Sequence, residues 1–152
     1  MKTCLITGAS GLIGSEMCRE FLAKGLKVYG LDIKPNKDLD HPNFIFLKCD
    51  LKKEADIIKA YTQLLSLDVL INNAAYANPK AKKLHLLKLS EWHDLLAIDL
   101  DSVFLVTKHA IPMLKKSKGN IINISSTRHK MSEPDTEAYS AAKGAIDALT
   151  RT

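Results

Sequence analysis

The sequence is poor in the residues that staple, span or chelate. Cysteine occurs three times, at Cys4, Cys18 and Cys49, an odd count with no CxxC. No disulfide framework is written into such a pattern, and buried free thiols in a reducing cytosol are expected. No apolar run approaches the ~20 residues that cross a bilayer. The chain opens directly on a strand-like segment rather than a signal peptide, so a cytoplasmic protein without membrane contact is expected. Aromatic residues make up 6%, and the lysine cluster Lys80, Lys82 and Lys83 has none interleaved. The net charge of +5 is scattered over helices and loops, which describes a solvated surface and no nucleic-acid partner. Internal repeats, low-complexity linkers and metal-ligand clusters are also missing.

What remains is an ordinary globular composition, 46% hydrophobic and 26% charged in 152 residues. That length fits one domain able to bury about 70% of its unfolded surface. The pattern alternates between short apolar runs and helical stripes. Strands are predicted at residues 2–7, 26–31, 44–48, 67–71 and 120–124, each apolar throughout. Helices are predicted at 12–24, where Leu12, Ile13, Met17, Phe21 and Leu22 form a stripe that Gly25 ends, and at 53–66. A long helix capped by Ser90 is predicted to reach about residue 116, bent near 99–102 and at Pro112 and broken by Gly119. A last helix runs from Thr136. Residues 77–89 read either as a short helix or as an exposed excursion. Strands alternating with helices predict a parallel α/β sheet covered on both faces.

The segment "TGASGLIG", residues 7–14, joins the first strand to the first helix. Glycines there permit a tight turn and let the backbone approach a pyrophosphate, and the helix N-terminus offers free N–H groups. Gly8, Ser10, Gly11, Leu12, Ile13 and Gly14 are therefore candidate cofactor-binding residues. Asp32 ends the second strand, 18 residues after Gly14. A carboxylate at that place bonds an adenosine ribose diol and repels a 2′-phosphate, which favours NAD over NADP. Lys34 works against that preference.

Tyr139 and Lys143 lie one helical turn apart and share a face. A phenol titrates near ~10, so acid/base work near neutrality needs about 3–4 kcal/mol of phenolate stabilisation. A neighbouring ammonium in a partly dry site is the simplest source. Ser126, at the end of the fifth strand, can donate a hydrogen bond to a carbonyl oxygen.

Here the residues resemble the short-chain dehydrogenase/reductase family along the whole chain. The matching stretches are "TGASGLIG", Asp32, "CDL" at 49–51, "INNAA" at 71–75, "GNIINISS" at 119–126 and "YSAAKGAIDAL" at 139–149. The resemblance implies a Rossmann-type, doubly wound parallel sheet of about five strands in the order 3-2-1-4-5, incomplete at its C-terminal side. It implies Tyr139 as acid/base, Lys143 as phenol acidifier and ribose anchor, and Ser126 as carbonyl orienter. Asp50 and Leu51 would face the adenine, and Asn73 and Ala74 the adenine ribose. The substrate would be a small alcohol or carbonyl compound, reduced or oxidised by hydride transfer.

Three departures stand out. The glycine spacing TGxxGxxG is that of the extended branch, which includes nucleotide-sugar enzymes, whereas "NNAA" and "NIINISS" are similar to the compact branch. Asp99, in "AIDLDSVF", takes the place of the family's asparagine and so joins the candidate catalytic set. It would pair with Lys143, or else turn outward or cap the next helical stretch. Family members also continue beyond the last helix, so the chain is expected to be a truncated N-terminal part. It would lack most of the substrate pocket, although residues 132–135 would contribute to it. Its fifth strand would have an open outer edge, and the full-length form is expected to be a homo-oligomer. Two other readings stay open: a non-catalytic dinucleotide-binding module, and an extended-branch sugar-nucleotide enzyme.

Overall fold

The computed structural model describes residues 1–76, 82–131 and 133–152. Five strands, β1 (Thr3–Thr7), β2 (Lys27–Asp32), β3 (Phe44–Lys48), β4 (Val69–Asn72) and β5 (Asn120–Asn123), form one parallel sheet in the order β3-β2-β1-β4-β5. The helices are α1 (Leu12–Ala23), α2 (Glu54–Tyr61), α3 (Leu89–Leu96), α4 (Ser102–Ser117) and α5 (Glu137–Arg151). A π-helical turn, Ala97–Asp101, joins α3 to α4.

β1 explains why the strands read as apolar runs. Successive side chains point to opposite faces, and both faces are covered. Cys4 and Ile6 pack with Cys18 and Leu22 of α1 and with Val28 and Ile71. Leu5 points the other way, into a core with Tyr29, Leu31, Ile57, Leu70 and Val106. β5 breaks the expectation of uniform burial: Asn120 is exposed and Ile122 is 44% exposed. Its place at the end of the strand order leaves half of it uncovered.

The helix boundaries differ from the sequence reading at two places, the start of α3 and the end of α2. The cap of α3 is Lys88, not Ser90, because Glu91 Oε2 accepts from the Lys88 N–H at 3.0 Å. α4 ends at Ser117, close to the expected end, and its cap Lys118 takes the left-handed conformation (φ 56°). Gly119 follows, required by close packing: a Cβ there would lie 2.4 Å from the Asp68 carbonyl oxygen. α2 stops at Tyr61, whose hydroxyl donates to the Val106 carbonyl at 2.8 Å, and turns carry the chain on to β4. Residues 82–89 hold a short 3₁₀ turn, Leu84–Leu86. Lys80 and Ser132 lie outside the described residues.

All three cysteines are buried and free. Burial pushes each thiol up to about 12, so none is a ready thiolate. Among the described residues no helix is long and apolar enough to cross a membrane. No group of three His, Cys, Asp or Glu there could hold a metal ion.

Candidate active site

The strand register brings Thr7, Asp32, Lys48, Asn72 and Asn123 to the carboxyl edge of the sheet. At its centre the chain leaves β1 through Gly8, whose φ of +66° is a left-handed conformation that glycine adopts freely. The Gly8 N–H donates to the Leu31 carbonyl at 2.9 Å and ties the turn to β2. From the other side, the Asn73 amide donates to the carbonyl oxygens of Thr7 (2.9 Å) and Gly8 (3.3 Å). Thr7 Oγ1 accepts from the N–H groups of Asn73 and Ala74, both at 3.0 Å. The ends of β1 and β4 are thus buckled together. A Cβ on Gly8 would stand 2.9 Å from the Ala74 Cα.

Gly11 caps α1 without a side-chain hydrogen bond, and no acidic residue stands in the first turn. The positive end of the helix is therefore left uncompensated where Leu12 and Ile13 open onto solvent. Gly14 lies so close to the turn that a Cβ would come 2.0 Å from the Gly8 carbonyl oxygen.

A cleft of about 560 Å³ runs along this edge. Gly8, Gly11, Leu12, Ile13 and Gly14 line its centre, and Asp32, Asp50 and Leu51 one side. Asn73, Ala74, Ser125, Tyr139 and Lys143 are among its other lining residues. Asp32 Oδ2 accepts from the Ser10 N–H at 3.0 Å and Oδ1 from the Ile33 N–H at 2.7 Å. Ser10 is not itself a lining residue; it fixes the carboxylate that is. The chemistry of the donor set fits a dinucleotide: an amide-rich helix start for phosphates, a fixed carboxylate for a ribose diol, and glycines that keep Cβ atoms out of the way.

At the opposite end, Lys143 is only 2% exposed. Its ammonium donates to the Ile124 carbonyl at 2.8 Å and lies 5.6 Å from the centroid of the Tyr139 ring. Burial lowers the pKa of Lys143, and the Asp99 charge opposes that shift. Ser126 is not a lining residue; its neighbour Ser125 is. Ser126 Oγ accepts from the Arg128 N–H at 3.2 Å and starts the 3₁₀ turn Thr127–His129. The imidazole Nδ1 of His129 donates to the Ser126 carbonyl oxygen, which fixes the turn from a second side.

Asp99 neither turns outward nor caps α4. It is buried at 0% exposure inside the π turn, and its Oδ1 accepts from the Tyr76 N–H at 2.6 Å. It lies behind the cleft rather than on its wall. Burial pushes its carboxyl up to about 6, against the Tyr76 hydrogen bond and the charge of Lys143, which both pull it down.

The sequence alone does not single out Thr7, Tyr76 or Ser125. Ser125 donates its hydroxyl to the Lys143 carbonyl at 3.2 Å and so holds the helix that carries the reactive pair. Thr7 has a sequence signal, since it is the first residue of the glycine segment. Tyr76 acts through its backbone, which leaves none.

The parallel sheet and the helices that cover it define a Rossmann-type architecture. A family model described as short chain dehydrogenase matches residues 2–152, and the chain belongs to that family. An uncharacterized oxidoreductase of Thermotoga maritima is 32% identical, the match covering 98% of this chain and 62% of that protein. The L-fucose dehydrogenase of Bos taurus is 30% identical over 99% of this chain and 58% of its own length. Among solved structures, 3-ketoacyl-(acyl-carrier-protein) reductase from Brucella melitensis complexed with NADH superposes with a TM-score of 0.89 at 27% identity. That match covers 98% of this chain and 66% of the reductase. Ligand-free aldohexose dehydrogenase from Thermoplasma acidophilum gives 0.87 at 28% identity, over 98% and 58%. The chain thus spans 58% to 62% of the length of these two curated relatives.

Proposed function

We propose that the chain carries the cofactor half and the reactive residues of an NAD(H)-dependent oxidoreductase that interconverts an alcohol and a carbonyl compound. The observation that carries this reading is one cleft with the uncapped start of α1 at its centre and the Tyr139–Lys143 pair on its wall. A nicotinamide dinucleotide, when bound there, supplies or takes up the hydride. The residues that would hold it are the 8–14 turn, Asp32, Asp50, Leu51, Asn73, Ala74 and Lys143.

The chain's own residues manage the proton. In reduction the Tyr139 phenol gives its proton to the substrate oxygen; in oxidation the phenolate takes it back. Lys143 beside the ring favours the phenolate, because its charge is held in a partly dry site. Ser126 lies next to the lining residue Ser125, and its Oγ accepts from the Arg128 N–H, which leaves its own proton free to orient a substrate carbonyl. The L-fucose and aldohexose dehydrogenases among the relatives make small hydroxylated rings the first substrates to try.

The test is NADH binding by fluorescence, followed by turnover with a panel of ketones and sugars. Saturable binding with turnover is expected. Binding without turnover on any member of the panel would instead make the chain a non-catalytic dinucleotide module, and no binding would overturn the reading altogether.

Cofactor choice follows from Asp32. Its two oxygens are fixed by Ser10 and Ile33, so the carboxylate cannot swing away from a 2′-phosphate. Asp32→Ala is expected to raise the NADPH/NADH affinity ratio about tenfold or more, through the loss of roughly 1.4 kcal/mol of discrimination. Paired titrations check it; an unchanged ratio would remove the case for NAD.

A further inference from the structure

Asp99 places a second ionisable group behind the reactive pair. It is fixed on one side only: Oδ1 is bonded to the Tyr76 N–H, while Oδ2 is buried with no partner among the described residues. The π turn that carries it packs against α3, α4 and α5. On α3, His93 and Asp94 are exposed, and Asp101 at the end of the turn is exposed as well. On α4, Lys108 and His109 are engaged with Glu54 of α2. On α5, Glu137 and Asp147 are partly exposed. Tyr139 and Leu100, the latter within the turn, both pack against the apolar cluster of Leu95, Ala138 and Ala142. The Lys143 charge acts on the Asp99 carboxyl.

We propose that Asp99 is a positioning residue for the Tyr139–Lys143 pair: its buried carboxyl offsets the Lys143 charge, so its ionisation sets how strongly the phenol is acidified. The geometry supports this because neither group can move away. The ammonium is pinned by the Ile124 carbonyl and the carboxyl by the Tyr76 N–H, and both side chains are buried. Two charges held in so dry a place interact far more strongly than they would in water. Below about 6 Asp99 is neutral and Lys143 acts on the phenol undiminished. Above it Asp99 is charged, raises Lys143 and cancels part of its field. An asparagine has the same shape without the charge, so Asp99→Asn isolates the electrostatic effect.

This inference rests on the function proposed above, but its main test does not need turnover. Protein carrying ¹³Cγ-aspartate and ¹³Cε-lysine is titrated by NMR, with Asp99→Asn and Lys143→Arg assigning the two resonances. Asp99 is expected to titrate near about 6, with a matching step in the Lys143 resonance. That step vanishes in Asp99→Asn, and Lys143 then releases its proton at lower pH. A Lys143 resonance that stays flat through the Asp99 titration overturns the inference, and the wild-type titration alone decides it should the asparagine variant not fold. In the active enzyme, Asp99→Asn is expected to reach its alcohol-oxidation plateau about one pH unit lower, the size of a single nearby charge effect. An unshifted profile counts against the proposal, and a shift confirms it. Absence of turnover at every pH would speak against the proposed function and leave the NMR outcome standing.

Discussion

Replacing Gly14 with alanine is expected to cost about 2–4 kcal/mol of stability and to lower NADH affinity at least about tenfold. The added Cβ would stand 2.0 Å from the Gly8 carbonyl oxygen and 2.8 Å from its carbon. Gly8 cannot retreat. Its N–H is bonded to Leu31, its oxygen accepts from Gly11 N at 3.1 Å and from the Asn73 amide, and its Cα faces Ala74. The helix must therefore shift away from the sheet, and the amide start of α1 moves with it. Gly11 makes the contrasting case. Its φ of −75° suits any residue, and a Cβ would meet only the Gly8 oxygen, at 3.4 Å. Gly11→Ala is expected to cost under about 1 kcal/mol, the usual loss at a helix cap. Urea unfolding and NADH fluorescence on both variants check the pair. Equal stability of Gly14→Ala and wild type would refute the packing argument. Should Gly11→Ala lose binding while keeping stability, the ligand's backbone approach at that residue would be the cause.

The second large effect is expected from Tyr139→Phe. Among the described residues the phenol oxygen makes no hydrogen bond to protein, and Tyr139 packs against the apolar cluster of Leu95, Ala138 and Ala142. Removing the hydroxyl should leave the fold and NADH affinity intact while kcat falls by about 10²–10⁴, the usual worth of a placed acid/base group. Lys143→Met should behave differently. It removes the bond to the Ile124 carbonyl as well as the charge, so stability, affinity and turnover fall together. The comparison is a matter of three measurements on each variant. Turnover by Tyr139→Phe at the wild-type rate would take the proton-transfer role away from this residue.

How far the sequence reaches is seen best at individual residues. β1, β2, β3 and α1 are legible because their signals are local: continuous apolar runs, a helical stripe, and a glycine at the end of the helix. The strand order comes from the family likeness, and the structure has it. Asp32, Tyr139 and Lys143 stand out because each sits at a strand end or on one helix face, and the sheet gathers such places at one edge. Where the outcome depends on a partner outside the local pattern, local reasoning fails. Ser90 is a good cap by composition, yet Glu91 reaching back to Lys88 decides the start of α3. Asp99 reads as either inward or outward, since a charge at a helix junction has two stable fates. The Tyr76 N–H, 23 residues away, decides for the interior. Ser126 and Ser125 cannot be told apart by composition, and only the path of the chain after β5 shows which one lines the cleft.

The π turn at Ala97–Asp101 has a further meaning for the chain's winding. An ordinary helix turns each residue by about 100°, so one extra residue per turn shifts everything upstream by roughly that angle relative to the downstream helix. α3 and α4 are therefore out of phase, and that offset lets Leu95 face α5 while Val106 faces the sheet. Excising a single residue here would restore regular winding and swing the whole of α3 around its axis, so loop surgery that looks harmless on a helix diagram would dismantle the wall behind the cleft.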